Sequence, residues 1–262
     1  MKKLIDHFDN ELKKAKIKNH VEPKIVKAFV DAVITSNPIA ITGGKVHVKS
    51  KFIHQRPYIF FVSPSSLHQV GRTELGDLLI VIKEIRRGQI KRRRCVFFQV
   101  KKTVTDWIKL TPHQHDFQRD LYSIAFQFGK SFYQEIQWEP IIWSHVTHSK
   151  WFLANLFLYP NCDCVTCASD IDSSLNSYKL DINPCDKKLG IHFRDFLTSC
   201  FCFSKVGLSL KDQVKGIVEL IYKRYDWKLD PEKEWFDNFG DTPGRYNEDV
   251  GFGIIECTFE YD

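Results

Sequence analysis

No uninterrupted apolar run of about 20 residues occurs in this chain, so the sequence offers no membrane-spanning helix. Its first residues lack the charged, then apolar, then small pattern of a secretory leader, and a soluble, intracellular, cytoplasmic protein with no membrane partner is expected. Neither a Walker-type Gly-rich loop nor a nucleophile elbow is present, which leaves the chain without a nucleotide-driven motor of its own. Internal repeats, low-complexity tracts and a convincing linker are also missing. The 262 residues are therefore read as one domain over 1–262, with a core at about 20–160 and a C-terminal elaboration at about 161–262. What is present suits a packed interior, since hydrophobic residues make up 43% of the chain and aromatics 14%, a balance that argues against disorder.

Two short strings carry the chemistry. Glu74-Leu75-Gly76-Asp77 leads into the apolar run Leu78 to Ile82, and Val96-Phe97-Phe98-Gln99-Val100-Lys101 follows a basic stretch. An acid entering one strand and a polar-x-Lys triplet leaving the next would bring a carboxylate, an amide, a backbone carbonyl and an ammonium to one edge of a sheet. Mg favours oxygen ligands, keeps several waters and is commonly held by one or two carboxylates beside a phosphate. Asp77, the Gln99 amide oxygen and the Val100 carbonyl are the candidate ligands, and Lys101 the candidate cation for stabilising charge on phosphorus oxygens. Strand alternation puts Gln99 and Lys101 on one face and Val100 on the other.

After Lys101 the chain reads as a linker over 103–112 and then a helix over 113–126, in which Gln118 and Tyr122 stand four apart and share a face. Acid, polar-x-Lys strand and Gln-x-x-x-Tyr helix, in that order, resemble the PD-(D/E)xK nuclease superfamily, with a helix motif similar to its RecB-type branch. The resemblance covers roughly residues 20–128. It implies an α/β, restriction-endonuclease-like fold, a mixed central sheet flanked by helices, and a Mg- or Mn-dependent nuclease that hydrolyses DNA phosphodiester bonds. Restriction, anti-phage defence and repair are the uses such a fold implies. In those terms the catalytic set is Asp77, Gln99, Lys101, Glu74, Gln118 and Tyr122, and the metal set Asp77, Gln99, Val100 and Glu22. Gln99 stands where the commonest pattern has Glu, and resembles the Gln-x-Lys form of Mrr-like restriction nucleases. One negative charge fewer implies weaker metal binding or a further carboxylate, for which Glu74 and Glu22 are the candidates. The same departure keeps open a protein that retains the fold only to bind nucleic acid or a protein partner.

Net charge is +6, and its distribution says more than its sum. Arg86 to Arg94 places six basic residues between the two strands, read as a hairpin turn in which Arg92, Arg93 and Arg94, with Lys102 nearby, would grip a DNA backbone. Eight cysteines in an intracellular chain do not suggest a disulfide framework. Two readings stay open for them: buried thiols, or a structural zinc or iron–sulfur site using Cys162, Cys164, Cys167 and Cys185. Further elements are expected as helices over 4–18, 22–36 and 208–225, strands over 45–49, 58–63, 78–85, 94–102, 151–159 and 253–261, and a loop over 230–249. Whether the protein assembles with itself or needs an activating partner is open.

Overall fold

The computed structural model describes residues 1–53, 58–62, 70–74, 76–103, 107–119, 125–128, 141–142, 153–160, 163–167, 179–181, 191–202, 208–209 and 251–262. Along them run α1 (Lys2–Lys18), α2 (Glu22–Val33), β1 (Ile39–Ile41), β2 (Gly44–Ile53), β3 (Tyr58–Val62), β4 (Val70–Glu74), β5 (Leu78–Arg86), β6 (Gln89–Lys102) and β7 (Trp107–Lys109). There follow α3 (Pro112–Arg119), β8 (Ala125–Phe128), β9 (Ile141–Ile142), β10 (Leu153–Leu158), β11 (Asp163–Cys167), β12 (Lys179–Asp181), β13 (Ile191–His192), α4 (Phe193–Phe201), β14 (Leu208–Ser209) and β15 (Phe252–Tyr261). No helix among the described residues is long and apolar enough to cross a membrane.

The helices form where apolar residues return every three or four positions. Leu4, Ile5, Phe8, Leu12 and Ala15 make the buried stripe of α1, and Ile25, Val26, Phe29, Val30 and Val33 that of α2. Pro23 sits in the first turn of α2, where its missing N–H is no loss. In β5 every residue from Leu78 to Ile82 is buried, because this strand is covered on both faces and has no reason to alternate.

The result is an α/β architecture around a mixed sheet with strand order β1-β2-β15-β5-β6-β10-β11-β13, with β14 also pairing β6. β5 and β6 are antiparallel and joined at Arg87-Gly88, both at positive φ (50° and 73°), the backbone a two-residue type I′ hairpin requires. β10 runs parallel to β6, and β15 parallel to β5 but antiparallel to β2. Smaller sheets are formed by β12-β7 and by β4-β3-β8-β9.

One face of the main sheet carries Val46, Val48, Leu78, Ile80, Ile82, Val96, Phe98, Val100, Leu156 and Ile255, packed with α1, α2 and α4 into a single core. Phe8, Phe29 and Phe201 meet edge to face within it. Gly253 lets α2 lie on β15, since a Cβ there would stand 2.5 Å from Val30 Cγ2. The other face presents Leu79, Val81, Phe97, Gln99, Lys101 and Asn155, with Gln118 of α3 reaching it.

Several expectations change. The helix over 113–126 is shorter: α3 ends at Arg119, and Ala125–Phe128 forms β8, pairing β3. Apolar residues at 121, 124, 125 and 126 fit both periods, and the available edge of β3 decides for strand. The 103–112 linker contains β7, which pairs β12. Only Arg87 and Gly88 form the turn, and Lys91 to Arg94 belong to β6. The strand expected at 253–261 is β15, yet it lies in the middle of the sheet rather than in an appendage to it. Leu208–Ser209 is a strand rather than the start of a helix; the remainder of that helix and the 230–249 loop lie outside the described residues.

Candidate active site

Gly76 admits Asp77 to the sheet. A Cβ at this glycine would stand 2.8 Å from the Phe98 carbonyl oxygen, and without one the chain comes close enough for the Asp77 N–H to donate to that same oxygen at 2.7 Å. Gly253 of β15 donates its N–H to the Asp77 carbonyl at 2.9 Å, so the acid is held from both neighbouring strands. Its Oδ2 accepts from Gln99 Nε2 at 2.5 Å and from the Val100 N–H at 2.7 Å. Because N–H and C=O of one strand residue project to the same side, the Val100 carbonyl also points toward the Asp77 edge.

Lys101 follows on the Gln99 face, half-buried, with Nζ 3.6 Å from Glu22 Oε2. The other Glu22 oxygen accepts the Lys102 N–H at 2.8 Å, which ties the start of α2 to the end of β6. A cavity of about 350 Å³ opens at this corner, lined by His20, Val21, Glu22, Pro23, Lys102 and Thr103.

The Asp77 carboxyl is pushed up to about 7. Burial is the main cause; Lys101 and the Val100 N–H pull it down, while the carboxylates of Glu74 and Glu22 push it further up. An enclosed acid with two other acids near it is a place where a divalent cation relieves electrostatic cost. Asp77, the Val100 carbonyl and the Gln99 amide oxygen are the oxygen donors that could serve an ion of Mg type, which retains most of its waters; the Gln99 amide meets Asp77 through its N–H end. No group of three His, Cys, Asp or Glu side chains that could hold a metal is found among the described residues, so the fit rests on this mixed donor set.

Gln118 is brought beside the site. It is buried and forms a reciprocal amide pair with Asn155, each Nε2 or Nδ2 donating to the other's oxygen at 3.2 and 3.1 Å. Asn155 stands directly beside Gln99 in the β6–β10 register. It was missed because it lies inside an apolar run; its one visible signal is being the single polar residue of Leu153–Leu158. Replacing Asn155 by Ala strands a buried amide, and urea denaturation is expected to show a loss of about 1–3 kcal/mol. The double variant Asn155→Leu/Gln118→Leu, which removes both polar partners, is expected to recover part of it. Tyr122 lies outside the described residues.

The basic stretch is placed differently from expectation. Asp77 and the Arg87-Gly88 turn are ten strand residues apart, about 33 Å. Arg92 and Arg86 both bind Glu84, at 2.5 and 2.6 Å. Alternation sets Arg93 on the opposite face from Arg92 and Arg94, and Arg94 is half-buried, its guanidinium pushed down by that burial. The three arginines therefore do not form one patch. Lys102 Nζ lies 3.4 Å from the His20 carbonyl, at the corner of the site.

Of the four candidate structural-metal cysteines, Cys164 is a buried thiol in β11 and Cys167 ends that strand, while Cys162 and Cys185 lie outside the described residues. Burial pushes the Cys95, Cys200 and Cys257 thiols up, which makes them inert packing groups.

Compared with known proteins, the chain matches no family model, and no curated protein and no solved structure matches it.

Proposed function

We propose that this chain is a Mg- or Mn-dependent nuclease acting on DNA phosphodiester bonds in the cytoplasm, with a restriction-endonuclease-like core in the Gln-x-Lys form. The observation that carries the proposal is the convergence of the Asp77 carboxylate, the Gln99 amide, the Val100 backbone and the Lys101 ammonium at one end of the sheet, with Glu22 beside them. The order of α2, β2, β3, β5, β6 and α3, helix then strands then helix, supports it, although β3 belongs to the separate sheet β4-β3-β8-β9 and β15 stands between β2 and β5.

The bound ion would acidify a water and draw charge from the phosphate oxygens. Asp77 would hold the ion, its carboxylate oriented by the two N–H groups at Oδ2. Lys101 faces the charge that builds on phosphorus oxygens, aimed by Glu22. The Gln118–Asn155 pair locks α3 against the strand next to Gln99. The test is nicking of supercoiled plasmid by purified protein with Mg or Mn and its loss with a chelator; intact plasmid under all metal conditions overturns the reading.

A second reading, a nuclease fold that binds DNA or a protein without cutting, is favoured by the Gln99 N–H that closes onto Asp77. Gln99→Glu separates the two. In an enzyme it restores a carboxylate and shifts Mn activation to lower concentration, by about tenfold for one added charged ligand. In a binding module DNA is retarded uncut by both proteins.

A further inference from the structure

Lys45-Val46-His47-Val48-Lys49-Ser50-Lys51 alternates strictly, and the structure shows where each half of the alternation goes. Val46 and Val48 are buried in the helix-covered core, and Ser50 Oγ donates to the Val30 carbonyl of α2. Lys45, His47, Lys49 and Lys51 therefore project from the opposite face of β2, the face that carries Gln99 and Lys101. Register confirms this through the intervening strands: Lys49 stands beside Glu256, Glu256 beside Val81, and Val81 beside Cys95, which has the parity of Gln99. Lys83 and Arg93 continue the same face, paired across β5 and β6.

Among the described residues this face carries the permanent cations Lys45, Lys49, Lys51, Lys83, Arg93 and Lys101 and the carboxylates Asp77, Glu256 and Glu260. Glu256 binds Lys83 at 2.5 Å, and Glu260 lies 3.2 Å from Lys45 and 3.5 Å from His47. Lys45 and Lys49 are exposed. The row from Lys45 to Lys51 is about 20 Å long, with successive side chains ~7 Å apart, and it lies three strand spacings, about 14 Å, from the column of β6 that holds Gln99. A step of ~7 Å is twice the 3.4 Å rise per nucleotide of one B-form strand. Among the described residues the large exposed apolar side chains, Ile17, Val21, Ile34 and Ile90, are all elsewhere, so none of them accompanies the row into a bilayer.

We propose that this basic row on β2 is a docking surface for the backbone of the nucleic acid whose flanking segment leads to the Asp77–Lys101 site, an inference that rests on the nuclease reading for its substrate. The contact is with phosphates and is independent of base sequence.

The test is salt-dependent binding of a fluorescein-labelled 30-base-pair duplex by full-length Asp77→Asn protein, in which cleavage cannot intervene. Lys45→Gln/Lys49→Gln/Lys51→Gln is expected to weaken binding at least tenfold at 50 mM salt and to reduce the slope of log affinity against log salt by about two to three. Lys13→Gln/Lys14→Gln/Lys27→Gln removes as much charge from α1 and α2 and is expected to leave the slope unchanged. If the row variant does not fold, Lys49→Glu repeats the measurement with a single substitution. An unchanged slope in the row variant, or an equal fall in the α1/α2 variant, overturns the docking surface. Binding of polyglutamate as tight as that of the duplex overturns nucleic acid as the occupant. The outcome is separable from the nuclease reading: plasmid cleavage with an unchanged slope removes only the surface, and a reduced slope without cleavage removes only the enzyme.

Discussion

Asp77→Asn is expected to abolish metal-dependent cleavage and, at the same time, to make the protein more stable above neutral pH. The loss of activity should be at least a thousandfold, about 4 kcal/mol of transition-state stabilisation, because the substitution removes the charged ligand at the centre of the proposed metal site. Stability should move the other way. In the folded protein burial lifts the Asp77 carboxyl to about 7, whereas the unfolded chain has the ordinary value of 3.8. Between those values the folded state holds a proton that the unfolded state has released, so wild-type stability falls as pH rises from about 4 to 7 and stays low above it. Asn keeps an oxygen for the Val100 N–H and carries no charge. Urea denaturation at pH 8 should therefore show the variant more stable by about 1–3 kcal/mol, with the difference closing by pH 4. Lys101→Ala should lose cleavage comparably without that stability gain. Wild-type-like nicking by either variant would remove the site assignment.

The second large effect is on the ion itself. Binding at Asp77 competes with its proton, so Mn or Mg affinity should rise about tenfold per pH unit below 7 and level off above it, with close to one proton released per ion at pH 6. Calorimetric titration in two buffers of different protonation enthalpy measures both quantities. Equal affinity at pH 5.5 and 7.5 would show that Asp77 is not a ligand. Glu22 and Glu74 raise the Asp77 carboxyl, so Glu22→Gln should shift the levelling point to lower pH.

The parts of this molecule that were legible in the sequence are those fixed by local pattern. Asp77, Gln99 and Lys101 could be related because the apolar run Leu78–Ile82 and the string Val96–Lys101 name two adjacent strands, and hairpin register then brings 77 opposite 99. The Asp77–Gln99 contact realises that pairing. Asn155 was hidden because a buried polar residue in an apolar run announces nothing until its partner on α3 is known. Residues 125 and 126 carry a pattern that suits a helix as well as a strand, and only the pairing of β8 with β3 distinguishes the two periods there. The lysine alternation of β2 is plain in the sequence, but which face is covered by helices, and so where the charges go, is a property of the assembled sheet. The arginines at 92–94 show the converse: they are adjacent in sequence and divided between two faces by the strand that holds them.

β15 has a consequence for how the protein comes into being. It is synthesised after every other described element, yet it fills the gap between β2 and β5 and donates the Gly253 N–H to Asp77. Until it emerges, β2 and β5 are unpaired edges, and the acid lacks one of its two anchors. Pairings this distant along the chain also close slowly. The nascent chain thus lacks this anchor of Asp77, and the pairing that joins β2 to β5, until β15 has been synthesised and has docked.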